Sequence, residues 1–140
     1  MSLVLVLQDD PALRFALSRA LEVCGYDVFA TDSAQTAIAY MRTTKPVLLV
    51  LELVVDGSVT TNVADCAVLS APGAQVIFVT GSRLFPRGEL FGMAANLRWV
   101  LRRPFGLREL TDMVRHLHPM DAGAPVRTQG ELSQRDARGI

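Results

Sequence analysis

The nine residues Val47 to Val55, VLLVLELVV, limit the fold more than any other stretch of this 140-residue chain. Eight of them are Val or Leu, which predicts a strand buried on both faces, as in a parallel sheet covered by helices. The only polar residue in the run is Glu52, near its C-terminal end. An ionised carboxylate is costly to bury without partners. Glu52 therefore either reaches solvent or is met by groups brought from elsewhere in the chain.

The flanking sequence repeats the theme. Leu3 to Leu7, LVLVL, predicts a central strand that opens at Gln8, Asp9 and Asp10. Asp10 suits the cap and Pro11 the first position of a helix, along which Leu13, Leu17, Leu21 and Cys24 recur until Gly25 stops it. Asp27 to Thr31 is a second strand, and Ser33 caps a second helix that turns Ala37, Ile38 and Met41 inward before Lys45 and Pro46. Beyond the organising strand, Asp56, Gly57 and Ser58 predict a turn, Thr61 to Leu69 a helix, and Gln75 to Val79 a fourth strand ending at Thr80 and Gly81. A helix from about Glu89 to Ala95, a fifth strand from Arg98 to Leu101 and a last helix lined by Leu107, Leu110, Val114 and Leu117 complete the pattern. The expected architecture is α/β: a doubly wound parallel sheet of five strands covered by helices on both sides, with right-handed crossovers. Residues 1–118 form one domain, and residues 119–140, which lack periodicity, form an extended or mobile tail.

Composition narrows the function. Fourteen basic and 14 acidic residues leave no net charge to draw in nucleic acid or an anionic membrane surface. Neither a signal-like segment nor a membrane-length apolar run is present, and the two cysteines read as core thiols, so a cytoplasmic protein is expected. An independent enzyme is not expected. His116 and His118 lie two apart on a helix and face different ways, no glycine-rich loop follows the first strand, and no serine sits in an elbow pattern.

In a sheet of this kind ligands bind beyond the carboxyl ends of the strands, where the winding reverses. Asp9, Glu52, Thr80 and Arg103 all fall at or just past those ends. Paired carboxylates with a hydroxyl and a cation suit a divalent metal and a phosphoryl group: the carboxylates take the metal, and the hydroxyl and cation take phosphoryl oxygens.

At these positions the chain resembles the receiver domain of two-component response regulators. The resemblance covers roughly Leu3 to His118 and rests on LVLQDDPALR, LLVLELVVDG, VIFVTG and RRPF, in that order and each in the matching strand context. It implies a flavodoxin-like sheet with strand order 2-1-3-4-5, and that Glu52 stands where the family has its phosphoacceptor aspartate. It further implies that Gln8 and Asp9 stand for the acidic metal-binding pair, Thr80 for the hydroxyl residue and Arg103 for the lysine before a proline, with a cis bond to Pro104. The family's switch aromatic corresponds to Val100, with Trp99 on the opposite face unless a bulge exchanges them.

Three positions depart from the family. Glu52 carries an extra methylene, which moves the reactive oxygen outward by roughly 1.5 Å, and a misplacement of about 1 Å can cost on the order of a hundredfold in rate. Gln8 brings no negative charge, so Mg²⁺ binding by Gln8, Asp9 and Glu52 is expected to be weak or lost. Arg103 keeps the charge but presents a planar fork in place of a point. The leading expectation is thus an atypical receiver in phosphorelay signalling, phosphorylated poorly or not at all. It would act by association with a histidine kinase or other signalling protein, with no output module in the roughly 20-residue tail, too short to fold alone. The face built by the fourth helix, fifth strand and fifth helix, with Phe91, Met93, Trp99 and Leu107, is the expected dimer or partner surface. Two alternatives stand beside it: ordinary phosphotransfer to Glu52 or Asp56, and a nucleic-acid or protein adaptor using the arginines from Arg83 to Arg115.

Overall fold

A computed structural model of the chain describes residues 2–81, 89, 92 and 94–119. The all-apolar runs become β1 (Leu3–Leu7), β3 (Leu48–Glu52) and β6 (Gln75–Thr80), flanked by β2 (Asp27–Thr31) and β7 (Leu97–Arg102). All pair in parallel, in the order β2-β1-β3-β6-β7. That is the expected order, with β6 and β7 as the fourth and fifth strands of the sheet.

Four helices are described: α1 (Pro11–Val23), α2 (Ala34–Met41), α3 (Thr61–Ser70) and α4 (Leu107–Leu117). Strand residues alternate between two cores. Leu5, Leu7, Leu49, Leu51 and Phe78 pack with Ala37, Met41, Val63 and Ala67 of α2 and α3. Val4, Val6, Val50, Ile77 and Val79 pack with Leu17, Leu21, Leu110 and Val114 of α1 and α4. Asp10 caps α1, its carboxylate accepting from the backbone N–H groups of Ala12 and Leu13, and Gly25 closes the helix at φ 99°. Ser33 caps α2 in the same way through the Thr36 N–H.

The structure corrects two expectations and shows the register of the fifth strand, which the sequence left open. The nine-residue apolar run is not one strand: β3 ends at Glu52, and Val54–Val55 (β4) folds back on Ser58–Val59 (β5) as a two-stranded antiparallel hairpin. Asp56 and Gly57 turn it at φ 52° and 75°, the left-handed pair that a two-residue hairpin loop demands. On α4 the inward face is Leu110, Thr111 and Val114, whereas Leu107, in the first turn, is 37% exposed. Finally, β7 carries a register shift: Val76 pairs with Leu97 but Ile77 with Trp99, which makes Arg98 the extra residue. The shift falls before Trp99, so regular alternation runs from there to the strand end. Val100 keeps the switch position and packs on the α2–α3 core, and Trp99, on the other face, is 48% exposed.

The expected helix over residues 89–95 falls largely outside the described residues. So do Arg83, Arg87, Phe91, Met93 and the tail beyond Pro119. Among the described residues, no helix is long and apolar enough to cross a membrane.

Candidate functional site

Glu52 is the last residue of β3, at the carboxyl edge of the sheet, and is only 4% exposed. The partners that burial calls for come from two other strand ends. Gln8, one residue past β1 and 1% exposed, donates from Nε2 to Glu52 Oε1 at 2.8 Å. Arg103, one residue past β7, lays its fork on the carboxylate: Nη1 donates to Oε1 and Nη2 to Oε2, the latter at 3.2 Å. Both carboxylate oxygens are therefore engaged, Oε1 by two donors and Oε2 by one. A bidentate, charge-assisted pair of this kind is far stronger than an exposed ion pair.

Each partner is itself held. The backbone N–H of Asp10 donates to Gln8 Oε1 at 3.1 Å, which commits the amide oxygen and turns Nε2 towards Glu52. Arg14, from the first turns of α1, donates from Nη1 to the Gln8 carbonyl at 2.9 Å. The Arg103 backbone N–H donates to the Thr80 carbonyl at 2.8 Å, and the Arg103–Pro104 bond is cis, as the resemblance implied. The guanidinium rests on Gly81: a Cβ there would stand 2.9 Å from Nη2 and 3.2 Å from Nε. On the far side of Glu52, the Thr60 hydroxyl donates to its backbone carbonyl at 2.7 Å, which ties the strand end to the start of α3.

The guanidinium of Arg103 is pushed still higher than its ordinary value, first by its hydrogen bond to Glu52 and further by the charges of Glu52, Asp9 and Asp10, against the effect of partial burial. It is a permanent cation. Asp9 thus belongs to the rim through its field on Arg103, although its side chain is exposed. Thr80 is fully buried at the end of β6, one residue beyond Val79, the ladder partner of Glu52. Asp56 is exposed in the hairpin turn and is not among the carboxylates acting on Arg103.

Gly81, Arg14 and the Asp10 backbone were not singled out by sequence. They act through packing and main-chain hydrogen bonds, which residue type does not advertise. For Gly81 a signal did exist, since a glycine directly after a strand-end threonine in VIFVTG marks a place where another group comes close.

The donor set does not fit a hard divalent cation. Such an ion takes several anionic or carbonyl oxygens. Here Arg103 engages both oxygens of Glu52, Gln8 shares Oε1, the Gln8 oxygen accepts from the Asp10 N–H, and among the described residues of the rim only Asp9 adds a carboxylate without a side-chain hydrogen bond. Among the described residues, no three His, Cys, Asp or Glu come together around a common point.

No family model matches the sequence. Over 116 residues, 82% of this chain, it is 30% identical to the KDP operon transcriptional regulatory protein KdpE of Escherichia coli strain K12. The chain covers 50% of that protein, about half the length of the curated relative it matches. Among solved structures it is similar to a CheY-like response regulator receiver domain protein from Methanospirillum hungatei, with a TM-score of 0.74 at 22% identity, covering 83% of this chain and 92% of that one. It is also similar to the response regulator TrrA of Thermotoga maritima, solved in complex with Mg(2+)-BeF, with a TM-score of 0.70 at 23% identity, covering 84% and 99%. The chain has the fold of a response-regulator receiver domain.

Proposed function

We propose that the chain is an atypical receiver module of two-component phosphorelay signalling, phosphorylated poorly or not at all, that acts by binding another signalling protein. One observation carries this reading: the carboxylate at the acceptor position is buried and forked onto Arg103, with Gln8 on the same oxygen. Attack on a phosphoryl donor needs a free carboxylate oxygen in line with the scissile bond, and a misplacement of about 1 Å costs on the order of a hundredfold. Removing Arg103 from Glu52 to free that oxygen would leave a buried charge uncompensated. Mg²⁺, which TrrA holds in its complex, is weakly bound or absent here for the same reason. The module is cytoplasmic and is not an enzyme in its own right. A histidine kinase, another signalling protein or a second copy of the chain is the partner, with the β7 and α4 side, where Trp99 and Leu107 are exposed, as the contact.

Incubation of the chain with acetyl phosphate and Mg²⁺, read by intact-mass spectrometry, tests the reading. The unmodified mass is expected to persist. Stoichiometric, acid-labile phosphorylation of Glu52 or Asp56 would overturn it in favour of an ordinary receiver.

A further inference from the structure

We propose that Arg103, seated on Gly81, is a built-in lock that keeps divalent cations out of the rim, and that Gly81 is the positioning residue on which the lock depends. The lock rests on the receiver reading above and adds a cause to it: metal is excluded by an occupied carboxylate, beyond the loss of an acid at Gln8.

The geometry supports this at three points. First, the guanidinium engages both oxygens of Glu52 and, with Gln8, fills three of the roughly four acceptor sites of that carboxylate, leaving a metal only one on Oε2, directly beside the cation. Second, the cation is permanent, since a guanidinium does not lose its proton in a folded protein. A second positive ion brought to Glu52 and Asp9 would stand next to a fixed one and be repelled by it. Third, only a residue without Cβ lets the fork lie where it does. A Cβ on Gly81 would press on Nη2 at 2.9 Å, Nε at 3.2 Å and Cζ at 3.4 Å, all atoms at the far end of a flexible side chain. Gly81 is not among the glycines with positive φ, so its backbone accepts alanine. Gly81→Ala therefore displaces the guanidinium while leaving every charge of the rim in the protein.

Binding of Mn²⁺ to the full chain, followed by water-proton relaxation, reads the lock directly. The wild-type protein is expected to bind Mn²⁺ only weakly. Arg103→Ala and Gly81→Ala are each expected to gain affinity by roughly tenfold or more, as expected for removal of a cation from contact with the ligand carboxylate. The double variant is expected to gain no more than Arg103→Ala alone, because both changes act through one guanidinium. A wild-type chain that binds Mn²⁺ as tightly as the variants overturns the lock, as does the absence of any gain in both single variants. If the double variant shows the sum of the two gains, Gly81 is not the seat. Phosphorylation of the wild-type chain by acetyl phosphate would defeat the reading as an atypical, poorly phosphorylated receiver, whereas Mn²⁺ binding as tight as that of the variants, without phosphorylation, defeats the lock alone.

Discussion

At the scale of single residues, Glu52 is the residue to explain, because a 4% exposed carboxylate at a strand end is stable only if its charge is met. Sequence position alone brought Asp9, Glu52, Thr80 and Arg103 together, since each stands at or just past a strand end of one sheet, and the resemblance added Gln8. Their contact was foreseeable, but the grip was not: which oxygen takes which donor depends on the Asp10 N–H, Arg14 and Gly81, which work through backbone and packing. Two other titratable groups lie at the opposite end of the sheet. Burial raises the Cys24 thiol above its ordinary 9.0, with Arg115 acting against the shift, and burial raises the Tyr26 phenol above its ordinary 10.0. Arg115 donates to the Cys24 sulfur at 3.2 Å, and the Tyr26 hydroxyl donates to the His118 carbonyl at 2.7 Å. Both groups hold their protons more tightly in the folded chain than in the unfolded one. The stability they contribute is present below the ordinary values and is lost as pH rises through the folded ones. Thermal melts from pH 8 upward are therefore expected to show Tm falling from about pH 9, and Tyr26→Phe is expected to flatten the part of the fall above about pH 10. A Tm constant to pH 11 or so would contradict this.

At the scale of elements, the long apolar run shows what pattern reading does well and where it stops. Buried Val and Leu mark β3, but two-residue strands are shorter than any periodicity, so β4 and β5 left no trace except the Asp56-Gly57 dipeptide between them. The hairpin matters because Thr60, directly after it, spends its hydroxyl on the Glu52 carbonyl and so does not cap α3. The strand end that presents Glu52 is thereby fixed from behind. Gly57 has open space around it but sits at φ 75°, so Gly57→Val tests the backbone alone. A loss of about 1 kcal/mol in urea denaturation is expected, since a β-branched residue resists left-handed backbone. An unchanged midpoint would mean that the turn is not held as described. The shift in β7 was equally invisible, as one extra residue at Arg98 leaves hydrophobic alternation intact on either side. Because it falls before Trp99 it does not exchange the two faces, and Val100, an aliphatic residue, stays at the position the resemblance gives to an aromatic.

At the scale of the whole molecule, the sheet order and the two cores follow from three all-apolar runs and the helices between them, which is why the architecture was legible from sequence. The winding then does the rest. Reversal of direction between β1 and β3 brings the residues after β1, β3 and β7 to one edge, so Gln8, Glu52 and Arg103 meet although 95 positions separate the first from the last. The account depends on that meeting being energetically real. A double-mutant cycle on Glu52→Gln and Arg103→Met, read by urea denaturation of the four proteins, measures it without assuming any function. The expected coupling is about 1 to 2 kcal/mol, above an exposed pair because Glu52 is buried and below a fully buried one because solvent reaches Arg103. Single changes that sum to the double within about 0.3 kcal/mol would show that the two residues do not hold each other.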